Sequence, residues 1–323
     1  MPANLTPQYR TAEAKFKGAR TIDEKRAALE EMLATIPKHK GTEKLQADLK
    51  RRLARIRQEQ ESKAAKHGHV VHVEPEGAAQ VVLLGPPNCG KSSLLAVLTR
   101  AEPAIGDYPF TTTRPQPGMM PFEDVQIQLV DLPPVAAEHL DTWMPNVVRG
   151  ADAALLMVDP TSPELPEDVE IIRERLAGVH IPLVGTLPED ADPRDTPLST
   201  LMVVTKVDLA RDADLAVLEE LYGATYHLVR ISTKTRVGLE PFKVALWRHL
   251  QLIRAYAKPP GKHPDRLEPF VLVQGSTVVD LAERIHRELA ENLQFVRVWG
   301  GKLDGQRVAR DFELRDRDVV ELH

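Results

Sequence analysis

The chain has 323 residues, 42% of them hydrophobic, with a formal net charge of -5 and a pI near 6.1. That is ordinary for a globular chain of two or three domains, and no apolar run approaches the roughly 20 residues of a membrane-spanning helix. A single cysteine, Cys89, excludes an internal disulfide, and with a polar N-terminus (MPANLTPQYR) it favours a cytoplasmic protein with no membrane partner.

The charge is unevenly placed. Residues 1–70 hold 16 Lys and Arg against 9 Asp and Glu, so the rest of the chain is correspondingly acidic. Within the first 66 residues, Thr21 and Glu24 have the spacing of a capping box. Leu29, Met32, Leu33 and Ile36, then Leu45, Leu49, Leu53 and Ile56, recur at helical spacing around a break at Pro37 and Gly41. We read a basic helical hairpin over 1–66. Its surface suits RNA or another acidic partner, or is simply solvated. Residues 67–79 read as a polar linker; His67, His69 and His72 match no standard zinc spacing.

From Gln80 the texture changes. Short apolar runs (81–84, 125–130, 153–158, 201–204, 227–231) alternate with helix-like segments (91–101, 163–177, 212–222, 238–257). This alternation predicts an α/β domain over 80–257, its sheet mostly parallel with helices on both faces and ligands at the carboxyl ends of the strands. A Pro-rich hinge, 258–269, leads to a small α+β unit over 270–323. There Thr277 and Asp280 read as a helix start, and FVLVQ, FVRVW and VVEL as strands.

The chemistry begins at Gly85-Pro86-Pro87-Asn88-Cys89-Gly90-Lys91-Ser92, which fits G-x-x-x-x-G-K-[ST] between a strand and a helix that opens with Ser92 and Ser93. The loop amides and helix N-terminus attract phosphates; Lys91 would reach the β- and γ-phosphates and Ser92 would ligate Mg²⁺. Thr205-Lys206-Val207-Asp208 follows the apolar run 201–204 as a variant of N-K-x-D, with Thr for Asn. Asp208 can accept two hydrogen bonds from guanine that adenine cannot offer, Lys206 would pack along the base, and loss of the Asn would remove contacts that brace the phosphate loop. Ser232-Thr233-Lys234 resembles the S-A-K loop whose backbone meets the guanine oxygen. Together, in this order, these segments favour guanine; an ATPase or kinase would require the last two to be coincidental.

Asp107-Tyr108-Pro109-Phe110-Thr111-Thr112 resembles the first switch of the Obg-type GTPases. With the PKHKGTEKLQADL lead-in, the AYAKPPGKHPD hinge and the VWGGKLDGQRVARDFELRDRDVVEL ending, the chain resembles the Obg-related, developmentally regulated GTP-binding proteins over nearly its whole length. The resemblance implies a P-loop GTPase domain, a C-terminal ubiquitin-like β-grasp (TGS) domain, and a ribosome- or RNA-associated switch that contacts its partner through the basic helices and the TGS unit. It implies that Thr112 closes over Mg²⁺ and the γ-phosphate and that Asp131 holds Mg²⁺ through a water. Asn88 occupies the position where potassium-stimulated GTPases of related families carry Asn; it suits either a potassium ion assisting Lys91 and Thr112 in hydrolysis, or a plain turn.

The chain departs from the family at three places. The stretch from Asp131 to Thr205 looks too short for the family's inserted subdomain. Thr205 replaces Asn. In Asp131-Leu132-Pro133-Pro134-Val135, Pro134 stands where a glycine N–H would sense the γ-phosphate, and proline has no N–H. Val135 occupies the water-orienting position, where an apolar residue is usual for the family. Two readings stay open: a slow Mg²⁺-dependent GTPase, or a GTP/GDP-binding scaffold with negligible hydrolysis.

Overall fold

The structure, a computed structural model, describes residues 32, 35, 72–99, 114–135, 140–261 and 268–323. The chain divides into two units, 1–71 and 72–323. In the first, Met32 and Thr35 are helical and Met32 is buried; the rest of the expected hairpin lies outside the described residues.

The second unit begins with a seven-stranded sheet. Its strands are β1 (Gln80–Leu84), β2 (Gln116–Phe122), β3 (Val125–Asp131), β4 (Ala153–Val158), β5 (Leu183–Val184), β6 (Leu198–Val204) and β7 (Leu228–Arg230). They run in the order β2-β3-β1-β4-β6-β5, and β7 also pairs with β6. All pairings are parallel except β2 with β3. Every residue of β1 and β4 is buried, as expected of strands covered on both faces. The helices α1 (Lys91–Leu98), α2 (Met144–Arg149), α3 (Leu165–Ala177), α4 (Asp212–Tyr222) and α5 (Leu239–His249) connect these strands or follow them. Leu94, Leu95 and Leu98 of α1 and Phe242, Leu246 and Trp247 of α5 pack with Val81, Leu83, Leu155, Met157, Leu201 and Val203 in one core.

The sequence reading missed β2. Its run, QPGMMPF, carries Pro117 and Pro121, which argue against a strand. The structure places it at the sheet edge, where a proline costs no ladder bond on the open side.

A second correction concerns 238–257, expected as one helix. The helix stops at His249, Gln251 turns at φ 51°, and β8 (Leu252–Ala257) follows. β8 belongs to a second sheet, with β9 (Phe270–Val273), β10 (Val296–Gly300), β11 (Leu303–Val308) and β12 (Asp318–Leu322), in the order β11-β10-β12-β8-β9. The C-terminal domain therefore starts ahead of the hinge expected at 258–269. Its parallel central pair, β8 and β12, joins the first strand of the domain to the last, as the β-grasp expectation requires. Helices α6 (Val278–Ile285) and α7 (Arg287–Glu291) complete it. Thr277 caps α6 in a capping box with Asp280. Ile253 and Ala255 of β8 lie in the core with Leu281, Val296, Val298 and Val320.

The alternate residues of β8 face the first sheet. Arg254, only 2% exposed, pairs with Asp316 through Nε at 3.0 Å and through a terminal nitrogen at 2.7 Å. Its other terminal nitrogen reaches Glu123 and, at 2.7 Å, Asp124, both in the β2–β3 turn. Tyr256 donates to Asp124, and Arg317 pairs with Glu123. Phe122 and Trp247 stack at 5.2 Å, with the Arg254 guanidinium 5.2 Å from the Trp247 ring centre.

Hydrogen bonds from Arg254 and Arg317 hold the Glu123 carboxyl below its ordinary value. For Asp124 and Asp316, burial pushes upward, but hydrogen bonds from Tyr256 and Arg254 to the first and from Arg254 to the second outweigh it, so both are lowered. Depressed carboxyls stabilise the fold above their unfolded pKa of about 4, and that contribution disappears as pH falls through the folded values. We expect Arg254→Met to cost on the order of 2–3 kcal/mol at pH 7, less than a fully buried pair because the carboxylates keep water contact. Urea midpoints measured from pH 7 to about 3 should fall more steeply in the parent than in Arg254→Met; parallel curves would contradict the assignment.

Candidate nucleotide-binding site

The parallel strands bring the sequence motifs to one edge. The sheet order reverses at β1, which lies between β3 and β4, and loops at the carboxyl ends of strands meet at such a point. The loop Gly85–Gly90 leaves β1 and enters α1 at Lys91. Gly85 has φ 155°, and a Cβ there would stand 2.6 Å from the Met157 carbonyl oxygen and 2.7 Å from the Cys89 sulfur. Gly90, at φ 101°, is the N-cap of α1. Pro86 is buried, Pro87 half-buried, and Asn88 exposed at φ 59°, a left-handed conformation that Asn tolerates in turns. Burial pushes the Cys89 thiol up, against the opposing charge of Lys91, so it stays a protonated packing group.

Lys91 is buried, and its Nζ donates to the carbonyls of Gly85 and Pro86, each at 2.9 Å. Ser92 donates to Asp131 Oδ2 at 2.5 Å, joining the start of α1 to the end of β3. Ser93 follows, half-buried, on α1. A hydroxyl and a carboxylate in contact are the hard oxygen donors that suit Mg²⁺. Ser92 would hold the ion directly and Asp131 through a water, and the ion would supply charge neutralisation at the β- and γ-phosphates. Thr112 falls outside the described residues. Beyond Asp131, Leu132, Pro133 and Val135 are buried and Pro134 is half-buried.

Thr205 overturns one expectation. Replacing Asn by Thr does not remove the brace on the phosphate loop. The Thr205 hydroxyl lies 2.7 Å from the Cys89 carbonyl and 3.0 Å from that of Val158, while its N–H donates to Val158 at 2.9 Å. One hydroxyl proton serves one acceptor at a time, and the shorter contact is to the loop. Lys206, at φ 50°, extends Nζ to Asp159 Oδ2 at 2.7 Å. Asp159 in turn accepts the hydroxyl and N–H of Thr161. Burial raises its pKa, but the hydrogen bonds from Lys206 and Thr161 prevail and lower it. Sequence reading missed Asp159, although a carboxylate directly after the 153–158 run signals the carboxyl end of a strand.

Asp208 is exposed and accepts from the buried Ser232 hydroxyl at 2.6 Å; Ser232 Oγ accepts the Thr235 N–H at 3.0 Å. The Ser232 N–H donates to Val237 at 2.9 Å, so that backbone group serves the loop rather than a ligand. Thr233 is half-buried and Lys234 exposed beside it. The structure thus brings together Lys91, Ser92, Asp131, Thr205, Lys206, Asp208 and Ser232. Among the described residues, no cluster of three or more His, Cys, Asp or Glu could form a separate metal centre, and no helix is long and apolar enough to cross a membrane.

Residues 80–185 match the family described as 50S ribosome-binding GTPase, and residues 253–323 match the TGS domain. An uncharacterized GTP-binding protein of Methanocaldococcus jannaschii is 29% identical over 363 aligned positions, covering 93% of this chain and 92% of the relative. Developmentally-regulated GTP-binding protein 2 of Homo sapiens is 26% identical over 359, covering 93% and 99%. The chain is similar over nearly its whole length to DRG-type GTP-binding proteins. It carries a GTPase domain, and its C-terminal unit is a TGS domain; the relatives bear the DRG description rather than Obg. GTPases generally use Mg²⁺. Both alignments exceed the 323 residues of this chain, so each relative has segments without a counterpart here. Between β3 and β6, the described residues form only α2, β4, α3 and β5. A crystallised GTP binding protein of Pyrococcus horikoshii OT3 is 18% identical with a TM-score of 0.49, covering 76% of this chain and 99% of that one.

Removing the Thr205 hydroxyl strands a buried loop carbonyl, which costs about 1–3 kcal/mol. Thr205→Val should therefore lower GDP affinity by about tenfold, a change of about 1.4 kcal/mol, whereas Thr205→Ser retains it. Calorimetry on the three proteins checks this, and equal affinity for Thr205→Val would show that the brace does not act on the nucleotide.

Proposed function

We propose that the chain is a slow, Mg²⁺-dependent GTPase acting as a ribosome- or RNA-associated switch. The observation that carries this reading is the convergence of Lys91 and Ser92 with Asp131 on one side, and with Thr205, Lys206 and Asp208 on the other, at the carboxyl ends of β1, β3 and β6. Lys91 and Ser92 take the phosphates and ion; Asp208, oriented by Ser232, selects guanine. Thr112 closes on the γ-phosphate, and Asn88 helps hold a potassium ion beside it. Partner contact is assigned to the basic residues 1–66 and to the TGS domain.

Pro134 favours a second reading, a nucleotide-holding scaffold. A charge-assisted hydrogen bond from a glycine N–H to the γ-phosphate is worth about 1.5–3 kcal/mol, and proline cannot supply it. Binding survives on the loop amides, Lys91 and Mg²⁺; discrimination between GTP and GDP falls mainly to Thr112.

Asp208→Asn should weaken GDP strongly while relaxing discrimination against xanthosine diphosphate, whose carbonyl suits an amide donor. Unchanged GDP affinity would remove Asp208 from base recognition.

Single-turnover hydrolysis, with and without ribosomes and in potassium or sodium, separates the two readings. The switch reading expects slow hydrolysis, faster in potassium and with ribosomes. It also expects Pro134→Gly to raise the ratio of GTP-analogue to GDP affinity by roughly tenfold, the order of the missing hydrogen bond. No hydrolysis under any condition would leave the scaffold.

A further inference from the structure

The β2–β3 hairpin connects two places that the fold otherwise keeps apart. At one end, Gln116 pairs with Asp131, whose carboxylate meets Ser92 at the start of α1. The ladder then runs without a register break to Phe122 opposite Val125. Seven paired positions separate the ends by about 20 Å at the rise of an antiparallel strand. At the far end, Glu123 and Asp124 are gripped by Arg254, Tyr256 and Arg317, all from the TGS domain. Arg254 is fixed within its own domain: Asp316 takes both its guanidinium and its backbone N–H, the latter at 2.8 Å, and the Arg254 carbonyl accepts from Arg317 at 2.7 Å. The aromatic stack of Phe122 on Trp247 supports the tip from α5.

We propose that this hairpin is a lever through which the phosphate and metal end of the nucleotide site controls the seating of the TGS domain, with Arg254 as its pivot. The proposal rests on the nucleotide-site reading and adds its regulation. A hydrogen-bonded ladder transmits a shift at Asp131 to its turn more readily than it absorbs it. A guanidinium with this many fixed partners has few alternative geometries. A displaced turn therefore breaks the Arg254 contacts instead of stretching them, giving two discrete arrangements rather than a continuum. Linkage then acts in both directions: nucleotides that differ at the γ-phosphate favour different seatings, and releasing the seat changes the relative affinity for those nucleotides. Arg254 acts as a positioning residue, distant from the reacting atoms.

The test measures affinities for GDP and a non-hydrolysable GTP analogue with Mg²⁺, in the full chain and in Arg254→Met and Asp316→Asn. Hydrogen exchange of 122–125 and 252–257 in the parent is followed with each nucleotide. Coupling of ordinary size predicts a change of about fivefold or more in the GTP-analogue to GDP affinity ratio in Arg254→Met, and a smaller change in Asp316→Asn. A purely structural contact would lower stability and leave that ratio alone. In the parent, exchange in both segments should differ between the two nucleotides. The exchange measurement needs no variant, so a misfolded Arg254→Met does not protect the idea. Nucleotide-independent exchange, or an unchanged ratio in folded variants, would overturn the lever while leaving the nucleotide site in place. A parent that binds neither nucleotide would overturn both.

Discussion

Burying a guanidinium dictates much of how the chain from 239 to 323 is arranged. Arg254 is 2% exposed, and a charge taken so far from water must be paired on every side or it destabilises the fold. Its pairing partners come from two domains. Asp316 is available because β12 lies parallel beside β8, and Glu123 and Asp124 are available because the β2–β3 turn faces that strand. The helix before β8 must therefore end early, which the left-handed Gln251 accomplishes. With β8 committed to the second sheet, Trp247 on α5 lies beneath the guanidinium and against Phe122. The joint between domains is thus polar at its centre and aromatic at its floor, so its geometry is more specific than an apolar contact of the same size would be.

The nucleotide site is organised by the same rule at smaller scale. Lys91 closes its own loop on the Gly85 and Pro86 carbonyls, and the other polar groups pair between segments: Ser92 on Asp131, Thr205 on Cys89, Lys206 on Asp159, and Ser232 on Asp208. These bonds fix the loops relative to one another before a ligand arrives. On the proposed function, a nucleotide would exchange some of them for its own, Lys91 and Ser92 first, while Thr205 and Ser232 would keep theirs because they act between loops. The first group would determine affinity for phosphate and metal, and the second the geometry in which the base is read.

The sequence made the sheet legible where burial is two-sided, since AALLMV or VVLL can be little else between turn signals. It also made Lys91, Ser92, Asp131 and Asp208 legible, because their chemistry depends on residue type at fixed spacing. Besides Asp159, three features escaped it for separate physical reasons. β2 escaped because edge strands accept the prolines that argue against central ones. β8 escaped because LIRAYA continues an amphipathic helix in composition; its period of two, with Ile253 and Ala255 inward and Arg254 and Tyr256 outward, was the available signal. The Thr205 brace escaped because the loss of Asn was read as the loss of its contacts, whereas the hydroxyl reaches the same loop through a shorter arm.

Pro134 looks different in this setting. Leu132 and Val135 are buried on either side of the proline pair, so the segment after β3 is anchored by its neighbours as well as stiffened by its rings. A glycine there would let the backbone turn toward a γ-phosphate and away again. Here that motion is restrained, so on the proposed reading the response to phosphate and metal falls to the Asp131 carboxylate against Ser92. Asp131 is the last residue of β3, so a change at its side chain acts directly on a strand whose other end faces Arg254. Restraining the loop after the strand thus favours transmission along the strand. A chain that has lost the phosphate-facing N–H can still report the state of its nucleotide, provided that the report travels through the hairpin.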